Sequence, residues 1–392
     1  MQLKEFSTQQ LQLEPEELAY LLDLVHGSSA DTEDSRVLQA LTPTRVPGLY
    51  ELRAGPFVGR LGLPSGRWID FVSRFDFEDV IELIRMSGRT PIRTDLLRVE
   101  ASSASFIIDA VAIAFTREVE RLLGLGLAKG YHRQRFLRPP YPGRIDAAYH
   151  LGRLAARPDR LATVAKRLTN DVLVNQILGQ ALEVLTRVPL DPGIARRVAH
   201  LMPAFTRISK MSLEADAIAR IPLTVLTKRY ESALGLAEVI LRSQSIAPRS
   251  TGLAGGSILF HMPKVWEGYV AAWLRSRWVD DEVISPYRFP LTNDGQQAEA
   301  DMVVLCDGQV IALYDAKYKW PDSAPIRADL YQMVTYCDRL GLREATLIYP
   351  VATPPRTVGV GDRVITVLGL RPTVGRDLPT FASLGTRTGV KL

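Results

Sequence analysis

Cysteine is scarce in this sequence, which has only Cys306 and Cys337 among its 392 residues. The two lie far apart and neither belongs to a CxxC pair, so neither a disulfide framework nor a structural zinc site is indicated. No apolar run approaches the ~20 residues that a membrane-spanning helix requires. The first residues also lack the basic and then apolar pattern of a secretory signal. We therefore expect a protein of the reducing cytoplasm that works away from membranes.

Two well-known catalytic motifs are missing as well. There is no GxxxxGK[ST] loop, so the chain is not expected to be a P-loop NTPase, and there is no GxSxG elbow of a serine hydrolase. His132 and His261 stand alone, which is more typical of structural or solvated histidines than of catalytic ones. The composition is that of a globular protein, with 46% hydrophobic and 23% charged residues. Its formal charge of +5 is compatible with a polyanionic partner such as DNA.

The patterns along the chain predict an α+β protein of several domains. Residues 1–100 show a helical pattern over 15–25 and then short apolar stretches broken by Gly and Pro over 41–75, which predicts a small β-rich module. Residues 101–250 form a predicted helical block, with helices at 102–127, 161–168, 172–188, 192–202 and 212–242. Ser103 or Ser105 could cap the first of these helices. A linker-like stretch near residue 250 introduces an α/β domain over 251–392.

The residues that carry chemistry lie on a predicted β-hairpin in this last domain. Asp301 opens one apolar run, Asp307 and Gly308 supply a turn, and a second run ends in Asp315-Ala316-Lys317. Because strand side chains alternate, Asp315 and Lys317 project from the same face.

The register of the hairpin decides whether Asp301 joins them. A two-residue turn flanked by Cys306 and Gln309 would place Asp301 opposite Tyr314, pointing away from Asp315. A three-residue loop over 307–309, or an equivalent bulge, would place Asp301 opposite Asp315. We predict the second arrangement.

Two converging carboxylates repel one another unless a cation neutralises them, and oxygen ligands suit Mg²⁺ or Mn²⁺. Such an ion can polarise a phosphate and activate a water, while Lys317 could orient that water or stabilise developing charge. The predicted reaction is phosphodiester hydrolysis. The simpler alternative is a solvated hairpin on which Asp and Lys merely pair.

Helices are predicted on both sides of the hairpin. The first, over 263–278, buries Trp266, Tyr269, Val270, Trp273 and Leu274 and carries Glu267 at its flank. The second, over 326–340, buries Leu330, Met333, Val334, Cys337 and Leu340 and presents Gln332 and Tyr336 on its other face. We count Gln332 and Tyr336 among the candidate catalytic residues.

This order of helix, hairpin, helix and a strand at 345–349 resembles the core of the PD-(D/E)xK nuclease superfamily. The resemblance implies that Glu267, Asp301 and Asp315 hold the metal and that Lys317 is catalytic. Asp315 stands where the superfamily more often has Glu, and no Pro precedes Asp301. Glu299 is a further acid, which we expect to be solvated.

A closer resemblance joins residues 313–319 and 329–336 to the McrC family, the nuclease subunits of McrBC type IV (modification-dependent) restriction systems. It extends to residues 48–61, 124–131, 143–146 and 171–178. It implies an antiviral endonuclease acting on methylated or otherwise modified DNA. It also implies a partner, an AAA+ GTPase of the McrB type, that is bound by the N-terminal module.

The densest basic segment lies upstream of the predicted nuclease domain. Its cations are interleaved with Tyr131, Phe136 and Tyr141 and could contact a DNA backbone. These cations are Lys129, Arg133, Arg135, Arg138 and Arg144. The alternative is a loop that packs its aromatic side chains while its arginines cap neighbouring helices.

Two other functions remain open. The same fold could serve a motor-independent exonuclease or junction resolvase, or a non-catalytic adaptor that only binds DNA or a partner. The intact pair of acids and the lysine favour a nuclease over an adaptor.

Overall fold

The computed structural model describes residues 1–26, 36–88, 92, 106–157, 159–210, 218, 221–225, 227–243, 256–292, 294–319, 327–351 and 354–372. Within these ranges the chain is a mixed α/β protein with several sheets. None of the helices described there is both long and apolar enough to cross a membrane. Both cysteines are free thiols.

The N-terminal region is rich in β-strands, as predicted, and it contains the predicted helix. The elements described in it are β1 (Gln2–Lys4), β2 (Thr8–Gln12), α1 (Pro15–His26), β3 (Leu38–Pro43), β4 (Leu49–Ala54), β5 (Phe57–Gly62), β6 (Trp68–Val72) and a helix that was not predicted, α2 (Phe77–Ser87). Strands β2, β4 and β3 make one sheet, and β1, β6 and β5 belong to another. Leu3, Leu21, Leu52 and Leu61 are fully buried between these elements.

A strand from far along the chain completes the second sheet. Strand β10 (Ile258–His261) pairs antiparallel with β5, in the order β1-β6-β5-β10. Gly59 permits this approach, because it has a φ of +133° and a Cβ there would lie 2.2 Å from the carbonyl oxygen of Ile258. The residues that precede the hairpin of Asp301 and Asp315 thus form part of the N-terminal sheet.

The middle region contains most of the helices predicted for it. They are α3 (Ile107–Gly124), α4 (Leu173–Leu185), α5 (Pro192–Leu201) and α6 (Glu231–Arg242). Helices α3, α4 and α5 match the predictions at 102–127, 172–188 and 192–202. Ser103 and Ser105 lie outside the described residues, as do residues 93–105 and 244–255, so the domain limits at 100 and 250 stay predictions.

The prediction of a helix over 161–168 is wrong. Residues Thr163–Thr169 form strand β9, which pairs with β7 (Gly130–Phe136) and β8 (Arg144–Ile145) in a three-stranded sheet. The middle region is therefore not purely helical. Leu161, Val164, Ala165 and Leu168 have helical spacing, but the β-branched Thr163, Val164 and Thr169 favour the strand that β7 stabilises.

The helix predicted over 212–242 is also wrong in part. Among the described residues, Ile218 and α6 follow the prediction, whereas residues 221–225 are not helical and Lys228–Tyr230 form a single 3₁₀ turn. Pro222 lies in this stretch, and the residue before a proline avoids the α conformation.

The C-terminal region is a six-stranded sheet with a helix on each face. The strands of the six-stranded sheet are β11 (Glu282–Ile284), β14 (Met302–Cys306), β15 (Gln309–Ala316), β16 (Glu344–Tyr349), β17 (Arg356–Val360) and β18 (Arg363–Gly369). Strands β12 (Tyr287–Pro290) and β13 (Gln297–Ala300) form a separate two-stranded hairpin. The sheet order is β11-β14-β15-β16-β18-β17, with β15, β16 and β18 parallel.

Helices α7 (Met262–Arg277) and α8 (Arg327–Leu340) confirm the helices predicted around the hairpin. Alternate side chains of β15 pack on opposite faces of the sheet. Tyr314 belongs to the hydrophobic core that contains α7, and Leu313 belongs to the cluster that contains α8. The five apolar residues predicted on α7 are all buried.

Candidate active site

The hairpin of β14 and β15 places Asp301 beside Asp315 by combining a two-residue turn with a β-bulge. The turn has only two residues, since Cys306 pairs with Gln309, so the predicted three-residue loop is wrong. Asp307 and Gly308 have φ angles of +51° and +79°, the pattern of a type I′ turn. A bulge then shifts the register between Val304 and Leu305, so that Met302 pairs with Tyr314.

This bulge is the alternative that was predicted alongside the three-residue loop, and it has the same effect on the register. Because Met302 lies opposite Tyr314, Asp301 falls beside Asp315 and Ala316. The Ala316 amide donates a hydrogen bond to Asp301 Oδ2 at 2.8 Å. The backbone of β15 thereby fixes the Asp301 carboxylate next to the Asp-x-Lys unit.

The carboxylates of Asp301 and Asp315 lie together in a desolvated part of the fold, which we call the corner. Asp315 is 2% exposed. Burial raises the pKa of Asp301 well above its usual range, and the charges of Asp315 and Glu267 raise it further. Burial also raises the pKa of Asp315, against the opposing effect of Lys317. Burial thus disfavours the ionised form of both carboxylates, and for Asp301 the neighbouring acids add to this effect.

Lys317 is the cation of this corner. Its Nζ lies 2.8 Å from Asp315 Oδ2 in an ion pair and donates a hydrogen bond to Gln332 Oε1 at 3.0 Å. Burial acts to lower the pKa of Lys317, but Asp315 and Asp301 outweigh it and the pKa is raised. The ammonium group thus stays charged.

Gln332 and Tyr336 of α8 form a chain of hydrogen bonds that ends at Lys317. Gln332 Nε2 donates to the Tyr336 hydroxyl at 3.2 Å, and that hydroxyl donates to the carbonyl oxygen of Glu299 at 3.3 Å. Gln332 therefore contacts the site directly, whereas Tyr336 acts on it through Gln332. The Glu299 side chain is exposed and pairs with Arg288 at 2.7 Å, which agrees with its expected solvation.

Glu267 on α7 approaches the same corner from the other helix. Burial raises its pKa to about 7, with Lys264 and Lys317 lowering the pKa and Asp315 and Glu299 raising it. Among the described residues, however, no group of three or more His, Cys, Asp or Glu side chains is close enough to hold a metal ion. The structure thus places Asp301 beside Asp315 and leaves Glu267 as a neighbour of the pair.

Glu267→Gln is expected to stabilise the metal-free protein at pH 8 and to have a much smaller effect on its stability at pH 5. The carboxyl has a folded-state pKa of about 7 against an ordinary value of 4.5, so wild-type stability falls as the pH rises through this interval. Partial solvent exposure screens the effect, which leaves a gain of about 1–2 kcal/mol at pH 8. Urea unfolding in EDTA at both pH values measures it.

Glu183→Gln is the matched control for this measurement. Lys210, with Arg187, lowers the pKa of Glu183, so its replacement should not stabilise the protein at pH 8. A Glu267→Gln protein that is no more stable than wild type at pH 8 would contradict the desolvation of Glu267.

Comparison with known proteins identifies the family. The model of a family described as "McrBC 5-methylcytosine restriction system component" matches residues 52–350, which is most of the chain. The chain belongs to this McrBC family. No curated protein sequence matches it.

Two solved structures of Thermococcus gammatolerans proteins are similar to this McrBC-family chain. One is a chain of the refined half-complex from a tetradecameric assembly of McrB AAA+ hexamers with bound McrC, with a TM-score of 0.60, 12% identity and coverage of 95% of this chain and 94% of that chain. At this identity the likeness shows the fold. The other comes from the cryo-EM structure of the McrBC complex, with a TM-score of 0.48, 15% identity and coverage of 70% and 86%.

The basic segment of the McrBC-family chain lies on and around the sheet of β7, β9 and β8. All five predicted cations are exposed: Lys129, Arg133, Arg135, Arg138 and Arg144. Arg135 already has partners, because it pairs with Asp146 at 2.8 Å and its guanidinium lies 3.9 Å from the ring centre of Tyr149. Lys166 of β9 lies opposite Arg133 and extends the basic surface.

The structure also adds a residue that the sequence analysis did not single out. Asp329, buried in the first turn of α8, accepts hydrogen bonds from Lys319 Nζ at 2.9 Å and from the Tyr349 hydroxyl at 3.0 Å. Its charge raises the pKa of Asp315. An acid in the first turn of a helix is ordinarily explained by the helix dipole, so its position alone did not indicate a site.

Proposed function

We propose that this chain cuts DNA as the endonuclease subunit of a modification-dependent restriction system in the cytoplasm. The observation that carries the proposal is the placement of Asp301 beside Asp315, with Lys317 paired to Asp315 in the same buried corner. Membership of a family of 5-methylcytosine restriction system components supports this reading. The order of helix, hairpin, helix and strand supports a PD-(D/E)xK nuclease core.

The donor set fits Mg²⁺ or Mn²⁺, which we propose that Asp301 and Asp315 hold. Asp315 Oδ2 is a buried oxygen to which no donor makes a well-aligned hydrogen bond, and burial, together with the charges of Asp315 and Glu267, raises the pKa of Asp301. Mg²⁺ is commonly bound by one or two carboxylates together with waters and substrate phosphates, so a third protein ligand is not required. Glu267 would complete the set through a water. When bound, the ion would polarise the scissile phosphate and lower the pKa of a water.

The residues of the chain have distinct tasks in this proposal. Lys317, held between Asp315 and Gln332, orients the attacking water and stabilises the charge that develops on the phosphate. The water oxygen bonds to phosphorus and gives up one proton to solvent, while the bond from phosphorus to the sugar oxygen breaks and the leaving oxygen takes up one proton from solvent. Gln332 sets the direction of the Lys317 ammonium group, and Tyr336 holds Gln332 in place.

We propose two macromolecular partners. The first is DNA, contacted by the exposed cations around β7 and β8, of which Arg133 and Arg144 carry the argument best because Arg135 is engaged by Asp146. The second is an AAA+ GTPase of the McrB type that binds the N-terminal module. The similar fold in an assembly of McrB AAA+ hexamers with bound McrC supports this second partner.

Plasmid cleavage tests the function. Supercoiled plasmids with and without 5-methylcytosine are incubated with the protein and Mg²⁺ or Mn²⁺, with and without the AAA+ GTPase and GTP. We expect cleavage of the methylated plasmid when metal, GTPase and GTP are all present, and none after EDTA is added.

Other outcomes point to the alternatives. Equal cleavage without the GTPase would favour a motor-independent exonuclease or resolvase. DNA binding without cleavage under every condition would favour an adaptor.

A further inference from the structure

Tyr318, the residue after Lys317, is joined to the N-terminal module. Its hydroxyl donates to the Glu5 carboxylate, at 2.9 Å from Oε1 and 3.0 Å from Oε2. Glu5 follows β1, and both side chains are buried. A contact across more than 300 residues of sequence therefore ends one position from the candidate catalytic lysine.

The N-terminal module holds both partners of this contact. Glu5 Oε1 accepts hydrogen bonds from the Ser73 hydroxyl at 3.0 Å and from the Arg74 amide at 2.7 Å. The Arg74 guanidinium lies 4.6 Å from the centre of the Tyr318 ring and donates to the Tyr318 carbonyl oxygen at 3.0 Å. Tyr318 is thus held at its hydroxyl, its ring and its backbone.

The opposite side of the same segment is held by the sheet. The Lys317 amide donates to the carbonyl oxygen of Ile348 in β16 at 2.9 Å. Tyr314, Ala316 and Tyr318 all join the core on the α7 side, so Asp315 and Lys317 alternate with them and face α8. The backbone that carries Lys317 is fixed between β16 on one side and the N-terminal module on the other.

We propose that Tyr318 is a positioning residue, through which Glu5 and Arg74 set the place of Lys317 in the candidate active site. The inference rests on the proposed nuclease function. It makes the N-terminal module a structural part of the cutting site as well as the proposed surface for a partner.

Space filling does not account for the contact. Phenylalanine would fill the same volume without a buried carboxylate, and removing a carboxylate from water costs free energy unless donors surround it. Here the donors are the Tyr318 hydroxyl, the Ser73 hydroxyl and the Arg74 amide, each with a defined direction. Such a network specifies one position of the segment, which an apolar contact does not.

Tyr318→Phe tests the inference because it removes only the hydroxyl. We expect single-turnover cleavage about tenfold slower, with an unchanged Kd for DNA, since a small displacement of Lys317 affects the chemical step. We also expect faster amide hydrogen exchange in the peptide that covers residues 313–319. Glu5→Gln combined with Tyr318→Phe should be no slower than the slower of the two single variants, because both break one contact.

Tyr230→Phe is the matched control. Its buried hydroxyl accepts from the Ala128 amide at 2.7 Å and donates to Asn175 Oδ1 at 2.8 Å in the middle region, so its loss costs similar stability without touching the site. We expect wild-type cleavage and wild-type exchange over 313–319 from this variant.

The outcomes separate this inference from the proposed function. If wild type cleaves and Tyr318→Phe shows the same rate and the same exchange, the positioning role is wrong and the nuclease stands. If wild type does not cleave, the nuclease proposal fails, while the exchange of residues 313–319 still decides whether Tyr318 holds the segment. If Tyr230→Phe slows cleavage as much as Tyr318→Phe does, the slower cleavage reflects a general loss of stability and the positioning role is wrong.

Discussion

Asp315→Asn is expected to lower the rate of DNA cleavage by about three orders of magnitude or more, equivalent to roughly 4 kcal/mol of transition-state stabilisation. Asparagine has nearly the same shape, but it lacks the charge that pairs with Lys317 and that, in our proposal, holds the metal. Cleavage of methylated plasmid under single-turnover conditions at saturating Mn²⁺ measures the loss. DNA binding in Ca²⁺ should change little, because the loss is one of chemistry.

The fold of this variant should survive. Burial raises the pKa of Asp315, so the metal-free protein does not depend on the ionised carboxylate for stability. Asp338→Asn is the matched control, since Asp338 lies on helix α8 of the same region, is exposed and pairs with Arg363 at 2.8 Å. Cleavage by Asp315→Asn within tenfold of the control variant would rule out the site.

The sequence predicted the parts of the site that depend on local pattern. The apolar face of α7 and the alternation of β15 determine where Glu267, Asp315 and Lys317 lie, and both patterns are long enough to be recognised in the sequence. The alignment of Asp301 was predicted for the right reason but with the wrong turn. Asp307 and Gly308 form the tight type I′ turn that such a pair favours, and the extra residue lies in a bulge instead.

The parts that could not be predicted are contacts between distant segments. Pairing of β10 with β5 depends on Gly59, whose role becomes visible only when Ile258 lies against it. The contact of Glu5 with Tyr318 likewise joins two residues whose local patterns suggest only a strand end and a core aromatic. Strand β9 was mistaken for a helix because its pairing with β7 is a tertiary interaction that overrides apolar spacing.

Arg60 links the N-terminal module to two distant segments of the middle region. Its guanidinium bonds Asp70 Oδ1 of β6 at 2.6 Å, lies 3.5 Å from Asp109 Oδ2 of α3, and donates to the carbonyl oxygen of Pro189 at 2.6 Å. All three charged side chains are buried. A single cation thus compensates two carboxylates, and burial already raises the pKa of Asp109 despite it.

Arg60→Ala is therefore expected to destabilise the protein by about 3–5 kcal/mol, because it leaves two buried carboxylates without their cation. The loss should lower the thermal midpoint by on the order of 10 °C. Burial already raises the pKa of Asp109, and without the opposing charge of Arg60 this folded-state pKa rises further, so the deficit must grow as the pH increases from 5 to 8. Arg187→Ala, which removes an exposed pair with Glu183, is the control and should change stability by no more than about 0.5 kcal/mol. A deficit that is equal at both pH values would show that lost packing against Trp68 and Phe106, and not uncompensated charge, is the cause.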